Sequence, residues 1–237
     1  EGYHFGFAFN VPDGVMRVDM PWSVVRPEAD QLPGSCKNWL SVQRWVDVSN
    51  QTFGVTWATV DAPIVEVGAI SAQPADPFAK EIWRKHLAPT QSLYSYVMNN
   101  YWTTNYQHDQ EGLETFRYAL APHGRFDAAA ATRFGTERSQ PLLAVAVDEA
   151  APVASPLLDV TPAGVIVTTV RPLDHGGAWL VRLFGISGRP ERVDVRWGDG
   201  APARLWVSDP DGMAVERIKR SLEVHPFEIV TLRIERR

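Results

Sequence analysis

Short segments in which apolar and polar residues alternate run along this sequence, and they constrain its fold more than any other feature. In residues 192–197, for example, Val193, Val195 and Trp197 alternate with charged residues. Because successive side chains of a strand point to opposite faces of a sheet, this period of two is typical of half-buried β-strands. The same reasoning predicts strands at residues 15–20, 42–48, 54–60, 64–69, 115–120, 142–147, 165–170, 178–184, 204–207 and 229–234.

Turn-forming residues separate these segments. The clearest turns are Pro12-Asp13-Gly14, Trp197-Gly198-Asp199-Gly200 and Pro210-Asp211-Gly212. Many short strands with frequent turns predict antiparallel sandwiches and argue against a parallel sheet. Two short helices are also predicted. One begins at Asp76-Pro77 and runs to about Leu87, and the other is capped by Asp127 and ends near Gly135.

The domain organisation is predicted from residues 148–156, which are rich in Ala and Pro and have no periodicity. We therefore expect one β unit at residues 1–150 and a second at residues 151–237. A chain of 237 residues suits this division, and it buries enough surface to need no disulfide. The chain opens on Glu1 and not on Met, which predicts that it is a piece of a longer polypeptide.

Composition excludes several classes of partner. The formal net charge is −5 and the sequence contains no block of basic residues, so neither nucleic acid nor an anionic membrane surface is expected as a partner. No apolar run approaches the roughly 20 residues that a membrane span needs. The nine Trp residues suit either the interior of a sandwich or platforms on which sugar rings stack, and composition does not choose between these uses.

Residues 94–112 read YSYVMNNYWTTNYQHDQEG and combine aromatic rings with amides and carboxylates. Amides donate and accept hydrogen bonds, carboxylates accept them, and rings supply apolar area, so this set matches a sugar with vicinal hydroxyls. The same set also suits a buried polar network that ties two sheets together. Both interpretations stay open at this point.

Candidate catalytic and metal-binding groups are few. On a strand, Asp109 and Glu111 would share one face about 6.6 Å apart, a spacing that permits a glycosidase pair but is also typical of ordinary solvated acids, which is the favoured interpretation. The histidines are isolated in the sequence, so no metal site is predicted in this chain. Cys36, beside Lys37, is interpreted as a small half-buried hydrophobic residue and not as a reactive thiolate.

Residues 94–112 resemble the C-terminal β region of glycoside hydrolase family 38, the α-mannosidases. The resemblance lies in the run Asn99-Asn100-Tyr101-Trp102-Thr103-Thr104-Asn105 and in Asp109-Gln110-Glu111-Gly112, which follows it. Residues 116–120 (FRYAL) continue the resemblance, and residues 226–232 (PFEIVTL) are similar to the end of these enzymes. Residues 31–39, 42–49 and 54–57 resemble a bacterial branch of the family.

The resemblance implies an all-β fold, with a large antiparallel β-supersandwich of the galactose-mutarotase type followed by a smaller C-terminal β-sandwich. It also implies a parent enzyme that is a zinc-dependent retaining α-mannosidase acting on mannose-containing carbohydrate. In that family the zinc ligands and the nucleophilic aspartate lie in an N-terminal catalytic domain, and no counterpart of those segments is found here. We therefore expect no catalytic residue and no cofactor in this chain, zinc in the missing domain, and that N-terminal catalytic domain as the partner.

What the resemblance carries onto this chain is a position near the substrate. In the family the β region packs against the catalytic domain and some of its loops approach the sugar site. By that likeness the candidates here are Asn99, Asn100, Tyr101, Trp102, Asn105, Asp109 and Glu111. The same residues could instead form the domain interface. The leading hypothesis is a β portion that supports and shapes the active-site rim. The alternatives are a stand-alone carbohydrate-binding or structural module, and an aldose-epimerase-like enzyme for which His108 and Glu111 are the nominated acid and base.

Overall fold

The computed structural model describes residues 2–71, 83–88, 90–99, 109–146, 156–174, 177–198 and 203–236. Within these residues the chain forms four antiparallel sheets and one α-helix, which confirms the all-β prediction. Clustering of contacts divides the chain into two compact units, the first made of residues 1–126 and 130–142 and the second of residues 127–129 and 143–237. The finer expectation of a mutarotase-type supersandwich stays a prediction, as does the boundary near residue 150.

The first unit contains two sheets. A four-stranded sheet has the order β1-β8-β7-β4, and a five-stranded sheet has the order β3-β2-β5-β6-β9. Their strands are β1 (Gly2–Ala8), β2 (Val15–Met20), β3 (Ser23–Val25), β4 (Leu40–Ser41), β5 (Trp45–Ser49), β6 (Gly54–Thr59), β7 (Ile64–Val67), β8 (Ser92–Asn99) and β9 (Tyr118–His123).

Alternating residues of these strands form one hydrophobic core. Val18 of β2, Val46 of β5 and Trp57 of β6 come from the five-stranded sheet, while Val65 of β7 and Leu93 of β8 come from the four-stranded sheet. Because apolar residues of both sheets pack in a single cluster, the two sheets form a sandwich. The period-2 pattern of the sequence thus positions the buried face of each strand.

Helix α1 (Ala128–Ser139) begins where the sequence predicts, because the carboxylate of Asp127 accepts a hydrogen bond from the backbone N–H of Ala129 at 2.8 Å. Its predicted end at Gly135 is wrong, since the helix continues to Ser139. In the first unit the helix packs on Trp45, whose indole Nε1 donates to Thr132 Oγ1 at 3.2 Å. This contact buries Trp45 on the outer face of the five-stranded sheet.

The second unit is also built from two sheets, with the orders β10-β13-β16 and β11-β12-β17-β14-β15. One core cluster joins them, with Val195 and Trp197 from the first sheet and Val181, Leu183 and Leu232 from the second. The strands are β10 (Leu158–Thr161), β11 (Val165–Pro172), β12 (Ala178–Gly185), β13 (Glu191–Trp197), β14 (Ala203–Ser208), β15 (Ala214–Ile218), β16 (Ser221–Val224) and β17 (Ile229–Arg236).

Three local predictions differ from the structure. Residues 142–146 form no strand, and Leu142 and Leu143 are almost fully exposed, because within the described chain no neighbouring strand pairs with this segment. The strand expected from Thr115 begins only at Tyr118. Of the helix expected from Asp76-Pro77 to about Leu87, residues 76–82 lie outside the described residues and residues 83–87 are not helical.

Candidate functional site

The aromatic and amide-rich segment starts on β8, and the structure describes only part of it. The backbone of Asn99 is the last residue of β8. The side chain of Asn99, and all of Asn100, Tyr101, Trp102 and Asn105, lie outside the described residues, as does His108. The assignment of these residues to a substrate-proximal edge therefore stays a prediction.

Asp109 and Glu111 lie within the described chain. Both are exposed, and residues 109–117 form no strand. The separation of about 6.6 Å expected for two acids on one strand face does not apply to them, because it rests on strand geometry. The amide of Gln110 donates to Glu114 Oε1 at 2.5 Å, which links two neighbours of these acids across one turn of irregular chain.

The inward face of β8 is buried and forms a hydrogen bond to the other sheet. Leu93 and Ser95 of this face are fully buried, and Tyr118 of β9 donates its hydroxyl to Ser95 Oγ at 2.9 Å. Burial raises the pKa of Tyr118, while its hydrogen bond to Ser95 acts in the opposite direction. Because β8 and β9 belong to different sheets, this bond ties the two sheets of the first unit together.

The outward face of β8 carries a different group of side chains. Tyr96 lies opposite His4 of β1, and their rings stack in parallel with centroids 4.4 Å apart. His4 Nε2 lies 2.8 Å from Glu66 Oε1, and Glu66 Oε2 accepts a hydrogen bond from the backbone of Ser71. Glu66 is 1% exposed. Both carboxylate oxygens of Glu66 thus have a partner, and Glu66 and His4 are buried together on the outer face of the four-stranded sheet.

An epimerase-like mechanism needs an acid and a base on opposite sides of a sugar. His108, the nominated histidine, lies outside the described residues, and Glu111 is exposed. His4 and Glu66 are a Glu–His pair that the sequence pattern did not single out, but their side chains bind each other and leave no space for a sugar between them. This geometry positions an imidazole ring and is not that of a flanking acid and base.

A second buried acid lies on the outer face of the five-stranded sheet. Asp47 of β5 is fully buried, and its oxygens accept hydrogen bonds from Ser49 Oγ at 2.5 Å and Thr56 Oγ1 at 2.9 Å. His123 Nε2 of β9 lies 2.6 Å from Asp47 Oδ2. Sequence reasoning missed this network. The signal that could have found it is an acid in the middle of the apolar strand Trp45–Ser49.

Arg17 of β2 extends this network toward solvent. Its Nη1 donates to Ser49 Oγ at 3.1 Å and lies 4.0 Å from Asp47 Oδ1. The guanidinium also lies over the ring of Phe126, 4.5 Å from its centroid. Burial lowers the pKa of Arg17, and the charge of Asp47 opposes that effect. Arg17 borders an open pocket of about 300 Å³ together with Asp13, Asn50, Gln51 and Thr52.

Asp19, two residues along the same face of β2, is buried without a full set of partners. The backbone N–H of Arg44 donates to its carboxyl group, but Oδ2 has no hydrogen-bond partner among the described residues. Burial raises the pKa of Asp19 to about 7, and the nearby charge of Arg44 only partly offsets this. The charge of this carboxyl group is therefore sensitive to pH near neutrality.

Glu28 is the opposite case. Its carboxylate accepts hydrogen bonds from Lys37 Nζ at 2.8 Å and from the backbone N–H of Leu87 at 2.7 Å, and His86 Nδ1 lies 3.0 Å away. These contacts, with that of Lys37 the strongest, lower the pKa of Glu28 to about 2. Because Lys37 binds Glu28, it is not available to activate Cys36, which is half-buried with its Sγ 3.6 Å from Asn38 Oδ1.

No group of three His, Cys, Asp or Glu side chains that could hold a metal ion occurs among the described residues. Each described histidine lies instead beside a single carboxylate: His4 by Glu66, His86 by Glu28, His123 by Asp47 and His225 by Glu223, at 2.8, 3.0, 2.6 and 3.3 Å. The part of the chain that the structure describes also has no helix long and apolar enough to cross a membrane.

Comparison with known proteins defines the class of this sandwich. Residues 164–232 match the family model described as the glycosyl hydrolases family 38 C-terminal beta sandwich domain. These residues run from the start of β11 into β17 and thus lie in the second unit. The expected resemblance is confirmed for this region, since residues 164–232 match the C-terminal β-sandwich domain of that family.

Solved structures extend the similarity of fold to nearly the whole chain. An alpha-mannosidase from Enterococcus faecalis V583 matches 97% of this chain at 16% identity with a TM-score of 0.68. A protein in glycosyl hydrolase family 38 from Enterococcus faecalis matches 92% at 19% identity with a TM-score of 0.67. The chain spans 25% and 24% of the lengths of those two proteins. No curated protein matches this chain.

Proposed function

We propose that this chain is the C-terminal β portion of an α-mannosidase-like glycoside hydrolase, and that it supports and shapes the active-site rim of a catalytic domain elsewhere in the same polypeptide. The observation that carries the proposal is the match of residues 164–232 to the C-terminal β-sandwich domain of family 38. The fold shared with an alpha-mannosidase over 97% of the chain supports it further. Since the chain spans a quarter of that protein, the chemistry is assigned to the remainder.

The chemistry proposed for the whole polypeptide is hydrolysis of a mannose-containing carbohydrate by double displacement at the anomeric carbon. Zinc is expected in the catalytic domain. The described residues of this chain offer no group of three ligands for such an ion, so no step is assigned to a metal bound here. The proposed role of this chain is to hold loops in position. A sandwich whose two sheets are joined by the hydrogen bond between Tyr118 and Ser95 is a rigid support for that purpose.

The residues proposed to approach the sugar are those of the segment that leaves β8, namely Asn99, Asn100, Tyr101, Trp102, Asn105, Asp109 and Glu111. Two observations on the described residues support the choice. β8 is paired on both sides, with β1 and β7, and therefore provides a firm base for the segment that follows it. Asp109 and Glu111 at the other end are exposed and accessible to a partner or a ligand.

The first test compares the 237-residue chain with the longer natural polypeptide on a chromogenic α-mannoside. We expect turnover by the longer protein, loss of that turnover with a chelator, and none by the chain alone, because the catalytic groups are assigned outside it. Turnover by the purified chain would contradict this assignment. Binding of mannose or mannobiose by a polypeptide that never turns over would favour a stand-alone binding module.

Substitutions in the longer polypeptide test the proposed rim. Trp102→Ala and Asn105→Ala should each lower kcat/KM at least about 5-fold, since loss of a stacking ring or of a paired hydrogen bond costs about 1–3 kcal/mol. Gln140→Ala, an exposed amide just beyond α1, is the control and should leave kcat/KM unchanged. If both rim variants match the control, residues 99–111 do not approach the substrate.

A further inference from the structure

The pocket beside Arg17 has the features of a ligand site, and it is independent of the proposed rim on β8. It lies in the first unit and is bordered by the turn Pro12–Asp13, by Arg17 of β2, and by residues 49–52, which begin at the last residue of β5. We propose that this pocket binds a small polyhydroxylated acid, with a hexuronate as the simplest example. The inference does not depend on α-mannosidase activity.

The first argument is the fixed guanidinium. Arg17 is held by Ser49 Oγ, by the backbone carbonyl of Val15 at 3.3 Å and by the ring of Phe126. All the hydrogen bonds that it makes to the described residues use Nη1, so Nε and Nη2 retain donors for a ligand. A guanidinium held in one place presents these donors to a carboxylate without losing further side-chain freedom.

The second argument is the buried support behind this guanidinium. Ser49 is 1% exposed and donates to the fully buried Asp47, which Thr56 and His123 also contact. His123 Nδ1 lies 3.0 Å from the carbonyl of Gly124, so both of its ring nitrogens have a partner and the ring is held in one orientation. Such a network fixes the side chains that touch a ligand, as supporting shells do in binding sites.

The third argument is electrostatic. The charge of Arg17 offsets that of the buried Asp47, whose Oδ1 lies 4.0 Å from Arg17 Nη1. Arg125 adds a further positive charge at the rim, where its Nη2 donates to Gln51 Oε1 at 3.1 Å. Asp13, which borders the pocket, reduces this excess by one. These four charges balance, so the preference for a carboxylate rests on the unoccupied donors of Arg17 and not on a net positive charge.

The fourth argument concerns the remainder of the rim. Asn50 is fixed by its amide hydrogen bond to the carbonyl of Pro12 at 3.0 Å, and its Oδ1 accepts from the backbone of Thr52 at 2.8 Å. The hydroxyl of Thr52 also donates to this oxygen, at 2.9 Å, so it is offered to a ligand as an acceptor only. Together with the side-chain amide of Gln51 and the carboxylate of Asp13, it gives the rim groups that can bind sugar hydroxyls. A volume of about 300 Å³ lies at the small end of ligand pockets and suits one sugar ring.

Three ligands test the proposal by calorimetric titration of the 237-residue chain. Glucuronate has both hydroxyls and a carboxylate, glucose has only the hydroxyls, and acetate has only the carboxylate. We expect glucuronate to bind at least 10-fold more tightly than either of the other two, and its affinity to fall as salt rises. Equal affinity for acetate would indicate an adventitious anion only, and equal affinity for glucose would remove the role of Arg17. Either result overturns the proposal, as does the absence of binding by all three.

Variants locate the site. Arg17→Gln should weaken glucuronate binding at least 10-fold, and Gln51→Ala, which alters an exposed residue and so preserves the fold, should weaken it at least 3-fold. The matched control is Arg192→Gln. Arg192 also donates to a serine on the neighbouring strand, Ser221 Oγ at 3.3 Å, but it lies in the second unit. The control should bind within 2-fold of the unchanged chain. Unchanged binding by both pocket variants would place glucuronate elsewhere and contradict the proposal.

Discussion

Asp19, Asp47 and Glu66 are acids within strands, and each of them is at most 4% exposed. The hydrogen bonds of Asp47 and Glu66 occupy both oxygens of each carboxylate, so burial of these charges is compensated. Asp19 differs, because its Oδ2 has no partner among the described residues. Asp47 and Glu66 are therefore buried acids with compensated charges, whereas Asp19 is a buried acid whose charge is only partly compensated.

The first prediction concerns Asp19. Because its pKa is raised from 3.8 to about 7, the folded protein binds this proton more tightly than the unfolded chain, and stability falls as pH rises between these values. The loss is on the order of 4 kcal/mol, and it is complete above pH 7. Asp19→Asn carries no charge at any pH. The free energy of unfolding of the variant relative to the unchanged protein should therefore rise between pH 4 and pH 8.

Chemical denaturation at both pH values measures this difference. The control is Asp61→Asn, because Asp61 is an acid of the same unit whose pKa is lowered by its hydrogen bonds to Arg117. Its stabilising effect is present above its ordinary pKa and is lost in acid, so its variant should show no gain at pH 8. A pH-independent difference for Asp19→Asn would mean that the carboxylate is solvated in the folded protein.

The sequence predicts residues of the candidate site only in part. The polar and aromatic segment at residues 94–112 can be recognised from the sequence because the residues that characterise it are neighbours in the chain. The partners of Asp47 cannot, since His123 is 76 positions away and reaches Asp47 only after β5, β6 and β9 have paired. The same holds for His4 and Glu66, which are 62 positions apart. Contacts of this kind depend on strand order, which the pattern of one sequence does not contain.

At the scale of elements, the two faces of β8 have different contacts. Ser95 on its inward face bonds to β9, and Tyr96 on its outward face stacks on His4. The segment is therefore both a link between sheets and an aromatic surface, since alternate residues of one strand serve different faces. Period-2 alternation predicts the two faces of β2, β12 and β13 for the same reason. The strands that the pattern did not predict are β1, β3, β4, β8, β10, β15 and β16.

Helix α1 gives the second prediction. Gly135 resembles a helix stop in the sequence, yet the structure places it inside the helix against β5. A Cβ at this position would lie 2.9 Å from Arg44 Cβ and 3.1 Å from Trp45 Cδ1. Gly→Ala within a helix ordinarily stabilises by about 0.5–1 kcal/mol. Here we expect Gly135→Ala to destabilise by about 1–3 kcal/mol, because Cβ of Arg44 lies next to the backbone and cannot yield easily.

Thermal and denaturant unfolding measure this effect. Arg133→Ala is the matched control, since it places the same side chain at an exposed position of the same helix and should change stability by no more than about 0.5 kcal/mol. A gain in stability for Gly135→Ala would show that the helix can move away from Trp45. In that case, close packing would not be the reason for a glycine at this position.

At the scale of the whole molecule, composition and pattern predict an all-β chain with two units, and the comparisons confirm the family region within the second one. What the sequence could not supply is which strands share a sheet. The order β11-β12-β17-β14-β15 joins strands far apart in the chain. The hydrophobic residues of each unit nevertheless form a cluster of their own, one around Leu93 and one around Leu232.

The last prediction tests whether these two clusters stabilise their own units. Leu93 and Leu232 are both fully buried leucines, so Leu93→Ala and Leu232→Ala make equivalent cavities and should each cost about 2–5 kcal/mol. Hydrogen exchange should report the loss locally: Leu232→Ala lowers protection in β12, β14 and β17, and Leu93→Ala lowers it in β1, β7 and β8. Each variant is the control for the other. Equal loss of protection in both units from either variant would contradict this, and it would mean that the family 38 region and the remainder of the chain unfold as a single cooperative body.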